Sequence, residues 1–138
     1  MISNDVIKRL IERLEVYISR LEEMQKIPLK DFLNDWKTQD IVLRNFQIAV
    51  ESCMDIGAHI ISELNLKVPE TYVQIVESLV ENKILPYDFG GKFKEFVKFR
   101  NIIVHEYLYI DMKKVYHNLQ NINNFREFIK YILAFLKS

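Results

Sequence analysis

The chain has 138 residues, about half of them apolar, which suits one domain, residues 1–138, with a core large enough to need no disulfide or metal staple. Nineteen basic residues balance nineteen acidic ones, so attachment to nucleic acid by bulk positive charge is excluded, although a local basic patch is not. Three Gly and three Pro are too few for the turns of an all-β protein and point to long helices with few connections.

The first predicted helix runs from about Ser3 to Lys26. Ile7, Leu10, Leu14, Tyr17, Ile18, Leu21 and Met24 recur at three- and four-residue steps, and Ser3, Asn4 or Asp5 can cap it. Pro28 ends it, because the residue before a proline is pushed out of the helical region. Leu29 to Trp36 reads as one or two helical turns packed over the end of a bundle. Thr38 or Asp40 then opens a second long helix reaching about Leu64. Its inner stripe is Val42, Phe46, Ala49, Val50, Cys53, Gly57, Ile60 and Leu64. Ala49, Cys53 and Gly57 are small and four apart, so another helix can approach there, from the same chain or from a dimer mate.

After a loop, Glu70–Asn82 reads as a shorter helix with Pro69 at its start. Tyr87 to about Tyr107 is the next, weakened early by Gly90 and Gly91. Asp111 caps a last helix whose asparagine-rich middle, Asn118–Asn124, is a plausible bend or break. The expected fold is all-α, a bundle of four to five main helices.

Met1–Leu10 carries Asp5, Lys8 and Arg9, so no signal peptide is expected. No charge-free window is long enough for a transmembrane helix. The single cysteine, Cys53, fits a reducing cytoplasm, and its place on the inner stripe marks it as a buried thiol.

One stretch stands out chemically: Arg100-Asn101-Ile102-Ile103-Val104-His105-Glu106-Tyr107. Arginine offers phosphate a permanent charge and a planar donor fork. Histidine exchanges protons near neutral pH. Together they suit metal-independent phosphodiester cleavage. The same residue types also make an ordinary polar side of an amphipathic helix. At about 100° per residue His105 lies some 140° from Arg100, so the two converge only where the helix ends or distorts, or where a cleft wraps round. Lys92, Lys94, Lys98 and Arg100 alternate with Phe93, Phe96 and Phe99. The phenylalanines read as core, and Lys94 and Lys98 as candidate phosphate contacts. His59 and His117 have no partners at metal-ligand spacing, and His105-Glu106 lacks the second histidine of a zincin motif, so no metal or other cofactor is expected.

Arg100 to Tyr107 matches the Arg-x-x-x-x-His-x-Tyr pattern, and in this respect the chain resembles HEPN-domain toxins of the HepT type. The resemblance extends to the opening helix Leu10–Met24, to Asp55-Ile56-Gly57-Ala58-His59-Ile60-Ile61, to Val68-Pro69-Glu70-Thr71-Tyr72 and to Ile110–Tyr116, in the family's order and spacing. It implies a helical protein that forms a two-fold homodimer and cuts RNA in a cleft between protomers. Arg100 and His105 would be the catalytic pair and Asn101 a supporting motif position. The implied partner is a MntA-type nucleotidyltransferase antitoxin that adenylylates the motif tyrosine, Tyr107. A non-catalytic helical subunit that holds a nucleotide or completes a nucleotidyltransferase is the competing reading, and a purely structural dimer module is the third.

Overall fold

The computed structural model describes residues 4–138, apart from the Tyr107 side chain. The possible cap Ser3 lies outside the described residues. Among these the chain forms seven α-helices: α1 (Asn4–Gln25), α2 (Leu29–Leu33), α3 (Trp36–Glu63), α4 (Tyr72–Glu81), α5 (Tyr87–His105), α6 (Met112–Gln120) and α7 (Asn123–Lys137). A single 3-10 turn, Tyr107–Tyr109, follows α5. The count exceeds the four or five expected because the piece after Pro28 is a helix of its own and the last segment is broken. The break falls at Asn121 and Ile122, inside the asparagine-rich stretch.

Helix α3 is the axis of the bundle and packs against every other α-helix. Val42, Ala49, Val50, Cys53, Ile56 and Ile60 on it are fully buried. Helix α1 lies along it through Ile7, Leu14, Ile18 and Leu21, the expected stripe. Phe46 of α3 meets Phe96 and Phe99 of α5 and Phe125 of α7, with ring centroids 5.1, 5.6 and 5.5 Å away and edges turned toward faces. The phenylalanines of α5 are thus core, as their spacing suggested. Polar ties close the periphery. Arg126 of α7 grips the Glu22 carboxylate of α1 with two hydrogen bonds of 2.8 and 3.1 Å, and this holds the Glu22 carboxyl below its ordinary range.

Helix ends follow local chemistry. Asp35, Thr71 and Asp111 cap α3, α4 and α6 by accepting the backbone N–H of Lys37, Gln74 and Lys113. Helix α3 therefore begins at Trp36, earlier than Thr38. Trp36 is 66% exposed and does not pack over the bundle end. Helix α4 begins at Tyr72, later than Glu70, because Thr71 takes the cap and leaves Pro69 in the loop. At the far end of α3, Asn65 turns to φ 62° while Asn65 and Leu66 donate to Ser62 and Ile61, which closes the helix and leaves Leu64 exposed.

The small residues of α3 are used within the chain. A Cβ at Gly57 would sit 2.9 Å from Ile75 and 3.0 Å from Leu79 of α4, so the close neighbour is α4 and not a dimer mate. Nor does Gly90-Gly91 kink the entry to α5, which is helical throughout. Gly90 lets α4 approach, since a Cβ there would collide with Val80, whereas Gly91 faces open space. The two glycines should therefore respond in opposite ways. Gly91→Ala is expected to gain about 1 kcal/mol from helix propensity. Gly90→Ala should lose about 1–3 kcal/mol through overpacking against a stiff β-branched side chain. Thermal denaturation of both variants checks this, with a raised Tm for the first and a lowered one for the second.

Candidate active site

Helix α5 carries Arg100 toward the seam with α3 and α4. A guanidinium entering such a seam needs compensation for lost water. It finds three partners. Glu51 Oε2 of α3 accepts from Arg100 Nη2 at 2.6 Å and from Nε at 3.1 Å. Asn101 Oδ1 accepts from Nη1 at 3.0 Å. The Tyr72 ring, from the first turn of α4, lies under the guanidinium with its centroid 4.8 Å away. Gln47, one turn before Glu51, donates to the same Oε2 at 3.0 Å. The Arg100 and Glu51 side chains are only 16% and 25% exposed, so this pair is screened far less than a surface one.

The electrostatics of the surroundings follow from burial. Burial raises the Tyr72 hydroxyl above its ordinary pKa, opposed by the charge of Arg100 and reinforced by Glu51 and Asp55. Burial likewise raises the Asp55 carboxyl, one turn beyond Glu51, with Arg13 pulling it back and Glu51 adding to the rise.

Helix α5 stops at His105. Glu106 donates to the Ile102 carbonyl at 2.8 Å and then leaves helical geometry at φ −134°, ψ 32°. Because α5 is helical through His105, the five-residue spacing still sets the two side chains apart around the helix. The segment Glu70–Tyr72 closes the other side, so Arg100, Asn101 and His105 share one open cavity of about 310 Å³ with Glu70, Thr71 and Tyr72. Of the conditions for convergence, the cleft that wraps round is the one met, and it is met within one chain.

Other candidates fall elsewhere. Lys94 pairs with Glu77 at 3.5 Å and lines a separate hollow of about 540 Å³ beside Gly90 and Gly91. Lys98 pairs with Glu95 at 3.2 Å on the open surface. The structure brings neither into the cavity of Arg100 and His105, although both share the Asn101–His105 side of α5 by helical spacing. Tyr107 begins the turn beyond α5, and its side chain lies outside the described residues. Cys53 is fully buried, and burial pushes its thiol well above its ordinary value, which suits an inert core residue. Among the described residues no group of three or more His, Cys, Asp or Glu is placed to hold a metal ion.

Sequence reasoning did not single out Glu51 or Tyr72 as site residues. The signal for Glu51 was available. Gln47, Glu51 and Asp55 stand four apart on α3 and continue the polar strip of Lys37, Asp40 and Arg44 toward the middle of the helix.

Over 132 residues the chain is 30% identical to the mRNA nuclease HepT of Shewanella oneidensis, covering 95% of this chain and 98% of that one. It is 28% identical over 111 residues to the tRNA nuclease HepT of Aphanizomenon flos-aquae, covering 80% and 76%. Among solved structures it is similar to the tri-AMPylated HEPN toxin of Shewanella oneidensis in complex with its MNT antitoxin. There the TM-score is 0.87 at 29% identity, over 96% of this chain and 99% of that one. The YutE protein of Bacillus subtilis, at 19% identity and a TM-score of 0.80, shares the fold. The model of the ribonuclease HepT-like family matches residues 14–132, and the chain belongs to that family.

Proposed function

We propose that this chain is the toxin of a toxin–antitoxin pair, an endoribonuclease that cuts RNA at the cavity of Arg100 and His105. The observation that carries this reading is that Arg100 and His105 line one open cavity together with Asn101, Glu70, Thr71 and Tyr72. Arg100 presents fixed positive charge to the scissile phosphate, where charge grows in the transition state. His105, exposed at the end of α5, takes the proton from the ribose 2′-hydroxyl as that oxygen attacks phosphorus. The 5′-oxygen departs with a proton, and a 2′,3′-cyclic phosphate remains. No step calls for a metal. Asn101 supports the site by fixing Arg100 Nη1. The competing reading, a non-catalytic nucleotide-binding subunit, gives the placement of His105 nothing to do.

Purified protein is expected to cleave RNA in EDTA and to spare DNA, which lacks the attacking hydroxyl. His105→Ala should abolish cleavage with an unchanged helical circular dichroism spectrum. Arg100→Lys should be severely impaired, since an ammonium reproduces neither the fork nor the stacking on Tyr72. Strict dependence on Mg²⁺, or equal cutting of DNA, would refute the mechanism.

The active form in this reading is a homodimer. One imidazole cannot serve as base and acid in the same step, whereas a two-fold pair supplies two. Ile102, Leu108 and Tyr109 leave an apolar edge beside the end of α5, with Leu108 75% and Tyr109 86% exposed, as an uncovered interface would be. A dimeric mass at micromolar concentration is expected, reduced to monomer by Leu108→Glu. A wild-type protein that stays monomeric would overturn the composite site.

Control follows one solved relative, a HEPN toxin that is tri-AMPylated and in complex with an MNT antitoxin. In this reading a cognate nucleotidyltransferase transfers AMP from ATP to the Tyr107 hydroxyl and releases pyrophosphate. The attached phosphodiester and base then occupy the space that RNA needs. Tyr107→Phe should keep nuclease activity and escape neutralisation by the co-expressed partner. Intact mass of the wild type purified with that partner should show AMP additions absent from the Phe variant. Full neutralisation of an unmodified protein would mean that the antitoxin acts by binding alone.

A further inference from the structure

Glu51 does not line the cavity, although it makes the shortest polar contact of Arg100. It stands behind the guanidinium, on the α3 side, and its Oε2 takes the Nε and Nη2 edge. Gln47 holds that oxygen from one helical turn away, and Tyr72 supports the guanidinium plane from below. Arginine has five N–H donors. Three are engaged by Glu51 and Asn101, which leaves two without a partner among the described residues. An anion in the cavity therefore meets Arg100 without displacing Glu51.

From this geometry we infer that Glu51, held by Gln47, is the positioning residue of the ribonuclease site, fixing Arg100 from behind so that its remaining donors face the scissile phosphate. The inference rests on the nuclease reading above and deepens it. An arginine on a four-bond stem loses considerable rotamer freedom when fixed. Anchoring by Glu51 meets that entropic cost on folding, before RNA arrives. The anchored guanidinium then stabilises charge that develops only in the transition state, so its loss should fall on kcat rather than KM. The opposite role, a carboxylate that competes with phosphate and restrains the enzyme, requires Glu51 on the cavity wall.

The test has two readouts. In proton–nitrogen NMR spectra, the Arg100 Nε–H, assigned by its loss in Arg100→Lys, should give a sharp, slowly exchanging signal. That signal should broaden or vanish in Glu51→Gln. In RNA cleavage, Glu51→Gln should lower kcat by about ten- to a hundredfold with KM changed less than about threefold, the scale expected for a misplaced group. Gln47→Ala should do the same to a smaller extent. Glu22→Gln, which breaks the similar α1–α7 pair, is the control and should leave kcat unaltered. An Nε–H signal unchanged in Glu51→Gln overturns the inference whatever the activity. So does a kcat that is unchanged or raised, the latter marking a competing carboxylate. So does an equal loss in Glu22→Gln, which marks a general effect of stability. A wild-type protein that shows the anchored signal and cuts no RNA refutes the nuclease reading and thereby the catalytic role, while the anchoring itself stands on the spectra.

Discussion

The burial of α3 on nearly every side is the constraint from which the rest of the molecule follows. A helix touched by six others must bury a broad apolar surface, and its small residues must lie where neighbours come closest. Gly57 meets that need against α4, and Phe46 sits where α5 and α7 converge. The charged side chains in its first half and middle gather on one strip, while Thr38, Asn45 and Ser52 are polar and buried away from it. Gln47, Glu51 and Asp55 lie on that strip, and Arg100 meets α3 there, at Glu51.

That geometry explains why the cavity forms where it does. The guanidinium is drawn into the seam by Glu51 and floored by Tyr72, while His105, the last residue of α5, lines the same cavity. Breaking a partly buried pair from either side strands a charge, so the contacts that aim the arginine also tie α5 to α3. Stability and site geometry are thus coupled through the same atoms. Tyr72 belongs to the shortest helix bounding the site, which is held in place by two glycine-permitted approaches, Gly57 on α3 and Gly90 on α5.

Much of this was legible beforehand. The stripe of α1, the capping role of Asp111, the break among the asparagines and the core placement of Phe93 and Phe96 follow from periodicity and local chemistry. So does the coincidence of Arg100 and His105 in one short motif. What periodicity could not supply was the partner of each feature. The glycine of α3 reads the same whether α4 or a second chain presses on it. The pairing of Glu51 with Arg100 spans 49 positions and has no local signature. Trp36 looked like a core residue by type, but the cap at Asp35 starts α3 in a register that turns its ring to solvent. Boundaries slipped for the same reason, since a hydroxyl or carboxylate that reaches the right N–H decides where a helix begins.

The separation of Glu51 from Arg100 also has a temporal side. A ribosome adds about 5–20 residues per second, so the carboxylate is made roughly 2–10 s before the guanidinium it will hold. Until α5 has left the exit tunnel and docked, the growing polypeptide has no fixed arginine and no cavity wall from α4 and α5 together. Over that interval the chain carries the carboxylate without the guanidinium that it holds in the folded protein. Arg100 and His105 come to share one cavity only as a product of tertiary folding, after the chain has been made past His105.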